Sequence, residues 1–157
     1  MDIETDREKL VQILQRAYSG ELAAALAYRG HWRSVQDPAE RAAIQKIEID
    51  EWRHRARLGE MLAELSSAPL RRREILSHAI GHTVSAACRF SGWFMPMYVA
   101  AALETDNVDE YYKAATYAEN LGLAHFASEL RAMAQTEHDH EVFFKGRIAR
   151  RKPARSG

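Results

Sequence analysis

Two segments of this chain break an apolar helical stripe with the same pattern, Glu-x-x-His: Glu51-Trp52-Arg53-His54 and Glu137-His138-Asp139-His140. Around the first, Ile44 and Ile47 precede Glu51 and His54, and Leu58, Met61 and Leu65 follow, at steps of three and four that trace one face of a helix. Around the second, Phe126, Leu130 and Met133 lead into Glu137 and His140, and Phe144 continues the line. Two further stripes carry one acid each at their centres. They run Val11, Leu14, Tyr18, Glu21, Ala25, Tyr28, Trp32 and Met97, Ala100, Glu104, Val108, Tyr111, Ala115. A fold that buries these stripes must bring four carboxylates and two imidazoles into one core.

The rest of the chain agrees with an all-α fold. Among 157 residues there are four Pro and eight Gly, and no alternating strand-like run stands out. Gln36-Asp37-Pro38 reads as a turn into a helix, with Asp37 as N-cap, Pro38 at the first helical position and Glu40 completing a capping-box-like arrangement. Ser66-Ser67-Ala68-Pro69 is a second break, and Asn120-Leu121-Gly122 is a helix end with a glycine stop. The punctuation predicts helices over about 4–35, 38–65, 69–89, 93–119 and 123–149.

Register follows from the turns, because residues equidistant from a short antiparallel turn lie at one height. Glu21 and Glu51 are centred on position 36, and Glu104 and Glu137 on the 120–121 step. The halves repeat weakly: Glu21 and Tyr28 recur 83 positions on as Glu104 and Tyr111, and Glu51 and His54 recur 86 positions on as Glu137 and His140. A duplicated helix pair needs a long crossover, and about 20 helical residues span roughly 30 Å. Segment 69–89 supplies it.

Four ionised carboxylates in a dry core would each cost several kcal/mol unless compensated. Two divalent ions cancel four such charges, with one neutral histidine nitrogen for each ion. Carboxylate-rich positions of this kind suit iron or manganese better than tetrahedral structural zinc. The expected ligands are Glu21, Glu51 and His54 for one ion and Glu104, Glu137 and His140 for the other, with one glutamate of each Glu-x-x-His bridging. Tyr28 and Tyr111, two turns beyond Glu21 and Glu104, are expected to bond the ligands or relay protons and electrons. Asp50, four residues before His54, is placed to hold that ring's other nitrogen. His31, His78, His82 and His125 lack a partner pattern and read as structural or solvated.

Between Ile75 and Leu103 the only Asp, Glu, Lys or Arg is Arg89, which leaves two uncharged pieces of 14 residues, each too short to span a bilayer. The run reads as a buried crossover packed on the bundle, with a membrane-interface segment or the lining of a channel for an apolar substrate as the alternatives. Residues 145–155 hold six basic residues and no acid, so the equal totals of 22 basic and 22 acidic residues hide an acidic body and a basic end. A uniformly basic nucleic-acid-binding surface is excluded. One cysteine excludes a disulfide framework and a four-cysteine metal site. The acidic, polar start MDIETDREKL has neither secretory nor transit character, so a cytoplasmic location is expected.

These residues resemble the demethoxyubiquinone hydroxylase family of the ferritin-like superfamily over about 10–145. Ser19-Gly20-Glu21-Leu22-Ala23-Ala24 followed by Tyr28-Arg29-Gly30 is similar to its first-helix block, the two Glu-x-x-His segments match its motifs, and Glu104 with Tyr111 matches its third helix. The long apolar stretch between the second and third bundle helices is also similar. The resemblance implies a ferritin-like four-helix bundle over 1–149 with a helical crossover, followed by a basic flexible tail over 150–157. It implies a di-iron centre that uses O2 and electrons from NADH or another reductant to hydroxylate a quinone-like aromatic, with peripheral contact at the inner face of a membrane. A monomer or homodimer is expected rather than a large shell. The family usually has a histidine just before the third-helix tyrosine, where this chain has Asp109-Glu110, a departure that bears on quinone recognition. Bacterioferritin and rubrerythrin are the alternatives: iron-oxidising or peroxide-detoxifying proteins with a similar ligand set. A haem-ligating methionine follows the bacterioferritin glutamate where this chain has Trp52, and rubrerythrin's cysteine-ligated iron domain has no counterpart here.

Overall fold

The computed structural model describes residues 3–151, and they form five helices: α1 (Ile3–Ser34), α2 (Pro38–Glu64), α3 (Arg71–Ala87), α4 (Phe94–Asn120) and α5 (Ala124–Arg151). No strand occurs among the described residues. The turn residues act as their chemistry dictates. The Asp37 side chain accepts from the Glu40 backbone N–H at 2.8 Å, and Pro38 opens α2; such an N-cap contributes about 1 kcal/mol. Gly122 ends α4 at a φ of 72°, where a side chain would be strained. The expected capping box is not closed, because the Glu40 carboxylate is taken by the Trp93 indole N–H at 2.9 Å. Helix α5 runs two residues past its expected end and takes in Arg150 and Arg151; positions 152–157 of the expected tail lie outside the described residues.

Helix α1 packs against α2, α3 and α4, and α4 packs against α5, while α2 and α5 touch least. The fold is bundle-like, with two apolar layers separated along the helix axes. One layer joins Leu10, Leu14, Leu58, Met61, Phe126 and Leu130. The other joins Tyr28, Ile44, Ile47, Met97 and Phe144. Each fully buried Leu, Met or Phe contributes about 1.5–3 kcal/mol, and together these layers hold an ionisable layer between them.

Helix α3 is not the buried crossover that its composition suggested. Among its residues only Gly81 is buried, and Ile75 and Leu76 are 62% and 60% exposed. The helix seats on α1 by lack of bulk. A Cβ on Gly30 would fall 2.3 Å from the Ser85 carbonyl oxygen, and one on Gly81 would fall 2.7 Å from Leu26 Cβ. Its backbone packs on α1 alone, with Arg55 of α2 reaching Glu74 by an ion pair. Apolar side chains along α3, the α3–α4 connection and one face of the first half of α4 therefore point outward, including Ile80, Phe90, Phe94, Tyr98 and Leu103.

Candidate metal centre

The helical register brings all six expected ligands together. Glu21, Glu51, His54, Glu104, Glu137 and His140 are all buried, between 0% and 7% exposed. Their donor atoms form two groups, Glu21, Glu51, His54 and Glu137 on one side and Glu51, Glu104, Glu137 and His140 on the other. Within each group one donor atom from every residue lies within 4.8 Å of the others. Glu51 and Glu137, the acids of the two Glu-x-x-His segments, belong to both groups.

Both imidazoles turn Nδ1 toward the acids. His54 Nδ1 lies 2.8 Å from Glu137 and 3.6 Å from Glu21, and His140 Nδ1 lies 3.4 Å from Glu51 and 3.8 Å from Glu104. The 2.8 Å approach lacks the alignment of a hydrogen bond, so it counts as an ion-pair contact only.

The surrounding contacts identify the partners, and for Asp50 they differ from the expectation. The tyrosines bond across the repeat, not within it: the Tyr28 hydroxyl donates to Glu104, and the Tyr111 hydroxyl donates to Glu21. Spacing along one helix puts a tyrosine and a glutamate on one face, but two turns is too far for them to touch, so each tyrosine reaches the acid of the neighbouring helix. Asp50 likewise faces His140 of α5, with its Oδ2 3.4 Å from Nε2, and not His54 of its own helix. Lys46 at 2.9 Å and Arg53 at 3.2 Å hold the Asp50 carboxylate. Asn107 was missed in the sequence; its amide donates to Glu137 at 3.1 Å. Its position three residues after Glu104 was the only signal that it shares that face.

Electrostatics shows what the acids cost. Burial, reinforced by the neighbouring carboxylates Glu21 and Glu137, pushes Glu51 well above the usual carboxylate range. Burial and the Glu137 charge do the same to Glu104. Burial opposes charge at His54 too, but the Glu137 and Glu21 carboxylates outweigh it and raise the imidazole to about 10. Burial would likewise raise Glu137, yet His54 holds it down at about 2. Without a cation, burial and the crowded carboxylates thus favour protons on Glu51, Glu104 and His54.

Even so, the hydrogen bonding does not close. Eight buried side-chain polar atoms have no hydrogen-bond partner among the described residues, and seven of them belong to the six ligands. A buried polar atom left unpaired costs about 1–3 kcal/mol. Seven orphaned oxygens and nitrogens converging from four helices are what divalent ions would satisfy, and a donor set of four carboxylates and two imidazoles fits iron or manganese. The group can hold a metal ion.

Two cavities flank the cluster. One, of about 250 Å³, runs between α3 and α4 over α1, and its walls include Ala24, Tyr28, Val84, Cys88, Val99 and Glu104. Its lining is almost wholly apolar. Val84, Met95, Val99 and Leu103 both line it and are exposed, so it opens onto the outward apolar face. The other, of about 140 Å³, is a polar cleft bounded by Arg16, Gly20, Glu21, Asp106, Glu110 and Tyr111. Arg16 and Glu110 pair across it at 2.7 Å. Asn107 borders both.

No helix among the described residues is long and apolar enough to cross a membrane. No family model, curated protein or solved structure matches the chain.

Proposed function

We propose that this chain is a ferritin-like four-helix bundle, α1, α2, α4 and α5 with α3 as its crossover, that holds two iron ions and hydroxylates an apolar, quinone-like aromatic with O2. The observation that carries the reading is the meeting of a buried, unsatisfied ligand cluster with an apolar cavity at Glu104 and Tyr28. Glu21 and His54 would hold one ion, Glu104 and His140 the other, and Glu51 and Glu137 would bridge. Manganese fits the same donors. When bound, the ions would supply the redox chemistry that dioxygen activation requires. The reaction balances as one ring C–H, O2, two electrons and two protons giving one ring C–OH and one water, with NADH or another reductant as the electron source.

The chain's own residues have definable parts in this. Tyr28 and Tyr111 donate to one oxygen of Glu104 and of Glu21 and so fix which oxygen turns toward an ion. Asp50, itself held by Lys46 and Arg53, orients the His140 ring through Nε2. The apolar walls of the larger cavity exclude water from the side where Glu104 lies and align a flat ring against it. Arg71, Arg72, Arg73 and Arg89 are exposed beside the outward apolar face. Apolar side chains with basic neighbours suit peripheral contact with an anionic membrane surface, from which an apolar substrate would enter.

The test is direct. Iron-loaded protein supplied with a reductant and a demethoxylated quinol should consume O2 and release a hydroxylated ring in equal amounts. Iron-dependent O2 consumption with no ring product would defeat the hydroxylase reading. It would favour a bacterioferritin- or rubrerythrin-like ferroxidase instead, a second reading that the polar cleft supports, because Asp106, Glu110 and Glu21 line a path suited to Fe(II). A large shell on gel filtration would point the same way.

A further inference from the structure

The eighth unpartnered buried atom lies outside the ligand cluster. His31 is 3% exposed, its Nε2 has no hydrogen-bond partner, and the residue lines the apolar cavity. Its ring is nearly parallel to two others, inclined 22° to Tyr28 and 15° to Phe144 at centroid separations of 6.3 and 5.9 Å. With those rings beside it, the imidazole has only its edge for polar contact. Of the cavity's other interior polar groups, the Tyr28 hydroxyl is spent on Glu104 and the Asn107 amide on Glu137, while the unpartnered Glu104 oxygen belongs to the acid cluster. Ser91 is exposed, and the Cys88 thiol is a weak donor.

His31 also stands at a defined place. It follows Tyr28 by one turn of α1, so the two side chains are neighbours about 5–6 Å apart on one face. A ligand lying in the cavity against Glu104 and Tyr28 therefore presents its far edge to His31. A neutral imidazole nitrogen is a donor in one tautomer and an acceptor in the other, and a hydroxyl serves both. Burial favours that neutral form by lowering the His31 pKa to about 4.

We propose that His31 Nε2 anchors a ring hydroxyl of the cavity's ligand, which makes the ligand class a hydroxylated aromatic and His31 the residue that selects it over a purely apolar ring. The inference deepens the function proposed above and rests on it only for the reaction that follows binding. Its test needs neither iron nor turnover. Two probes of one shape, 2-naphthol and 2-methylnaphthalene, are titrated into the full chain without added metal, with the imidazole nitrogens followed by 15N NMR.

One buried hydrogen bond corresponds to about tenfold in affinity, whereas simple burial would favour the methyl probe. The expected result is 2-naphthol binding about ten times more tightly, with a shift of the His31 Nε2 resonance that 2-methylnaphthalene does not cause. In His31→Phe the preference should fall below about twofold, and His31→Gln should restore part of it. Equal affinities in the wild-type chain, no binding of either probe, or a preference that survives in His31→Phe would each overturn the proposal. If His31→Phe does not fold, the wild-type pair of titrations and the nitrogen shift decide alone. A chain that shows this preference yet binds no iron would sink the di-iron reading and leave the anchor standing. A chain that binds iron without the preference would do the reverse.

Discussion

The two sides of the ligand cluster are chemical copies in unlike surroundings. On one side Tyr28 bonds Glu104, and on the other Tyr111 bonds Glu21. The Tyr28 side has His31 one turn on and Phe144 stacked on the tyrosine; the corresponding positions on the Tyr111 side are Ala114 and Leu58. The first side faces an apolar cavity, the second a polar cleft crossed by an ion pair. The repeat therefore fixes what the acids and histidines do, while the residues one turn away decide what can reach each side.

The largest effect should come from breaking what both sides share. Glu51→Ala with His140→Ala should abolish stoichiometric iron binding, whereas Glu21→Ala alone should spare part of it. Metal analysis that still finds two irons per chain in the double variant would refute the ligand assignment. Next in size, Val99→Trp fills the apolar cavity and should cut ring hydroxylation about 100-fold, by displacing the reacting ring, with iron content unchanged. Gly20→Phe, which meets open space at the polar cleft, should change the same rate by less than about threefold. Comparable losses from both would erase the distinction between the two sides.

A third contrast is thermodynamic. The folded His31 pKa of about 4 lies below its ordinary value of 6.5, so between these values the unfolded chain takes up the proton more readily. Its contribution to stability is full above pH 6.5 and falls by up to about 3 kcal/mol as pH drops through 4. Ala114 offers no such titration on the other side. In denaturant melts from pH 7 to pH 4, the stability of wild type relative to His31→Phe should therefore fall as the pH falls, and parallel profiles would contradict it. The smallest effects should come from Tyr28→Phe and Tyr111→Phe. Each leaves one carboxylate oxygen without its donor, at a cost of about 1–3 kcal/mol in the metal-free chain. A variant as stable as wild type would show that its tyrosine does not hold the acid.

Much of this is legible in the sequence. Helix ends follow from Asp37-Pro38 and Gly122, and the buried acid and histidine cluster from stripes whose centres are acids and histidines. What stayed hidden depends on relations across helices. Periodicity assigns Tyr28 to a face but cannot say that the acid opposite is Glu104, and it places Asp50 near His54 when the partner is His140. The outward face of α3 was hidden for another reason: an uncharged run looks the same whether protein covers it or not. Only the close approach permitted by Gly30 and Gly81 shows that α3 meets α1 by its backbone and leaves its larger side chains outside. His31 gave no pattern because a lone histidine acquires meaning from its walls.

That glycine contact also gives sequence change in this region a direction. Helices that already meet backbone to backbone cannot be drawn closer by trimming side chains, so mutation at the seam can only wedge α3 outward. Each methyl group added at position 30 or 81 would widen the neighbouring cavity. For a ligand of the kind proposed, bulkier forms would be reached by single steps through this seam, but a narrower chamber would have to be built from the α4 wall.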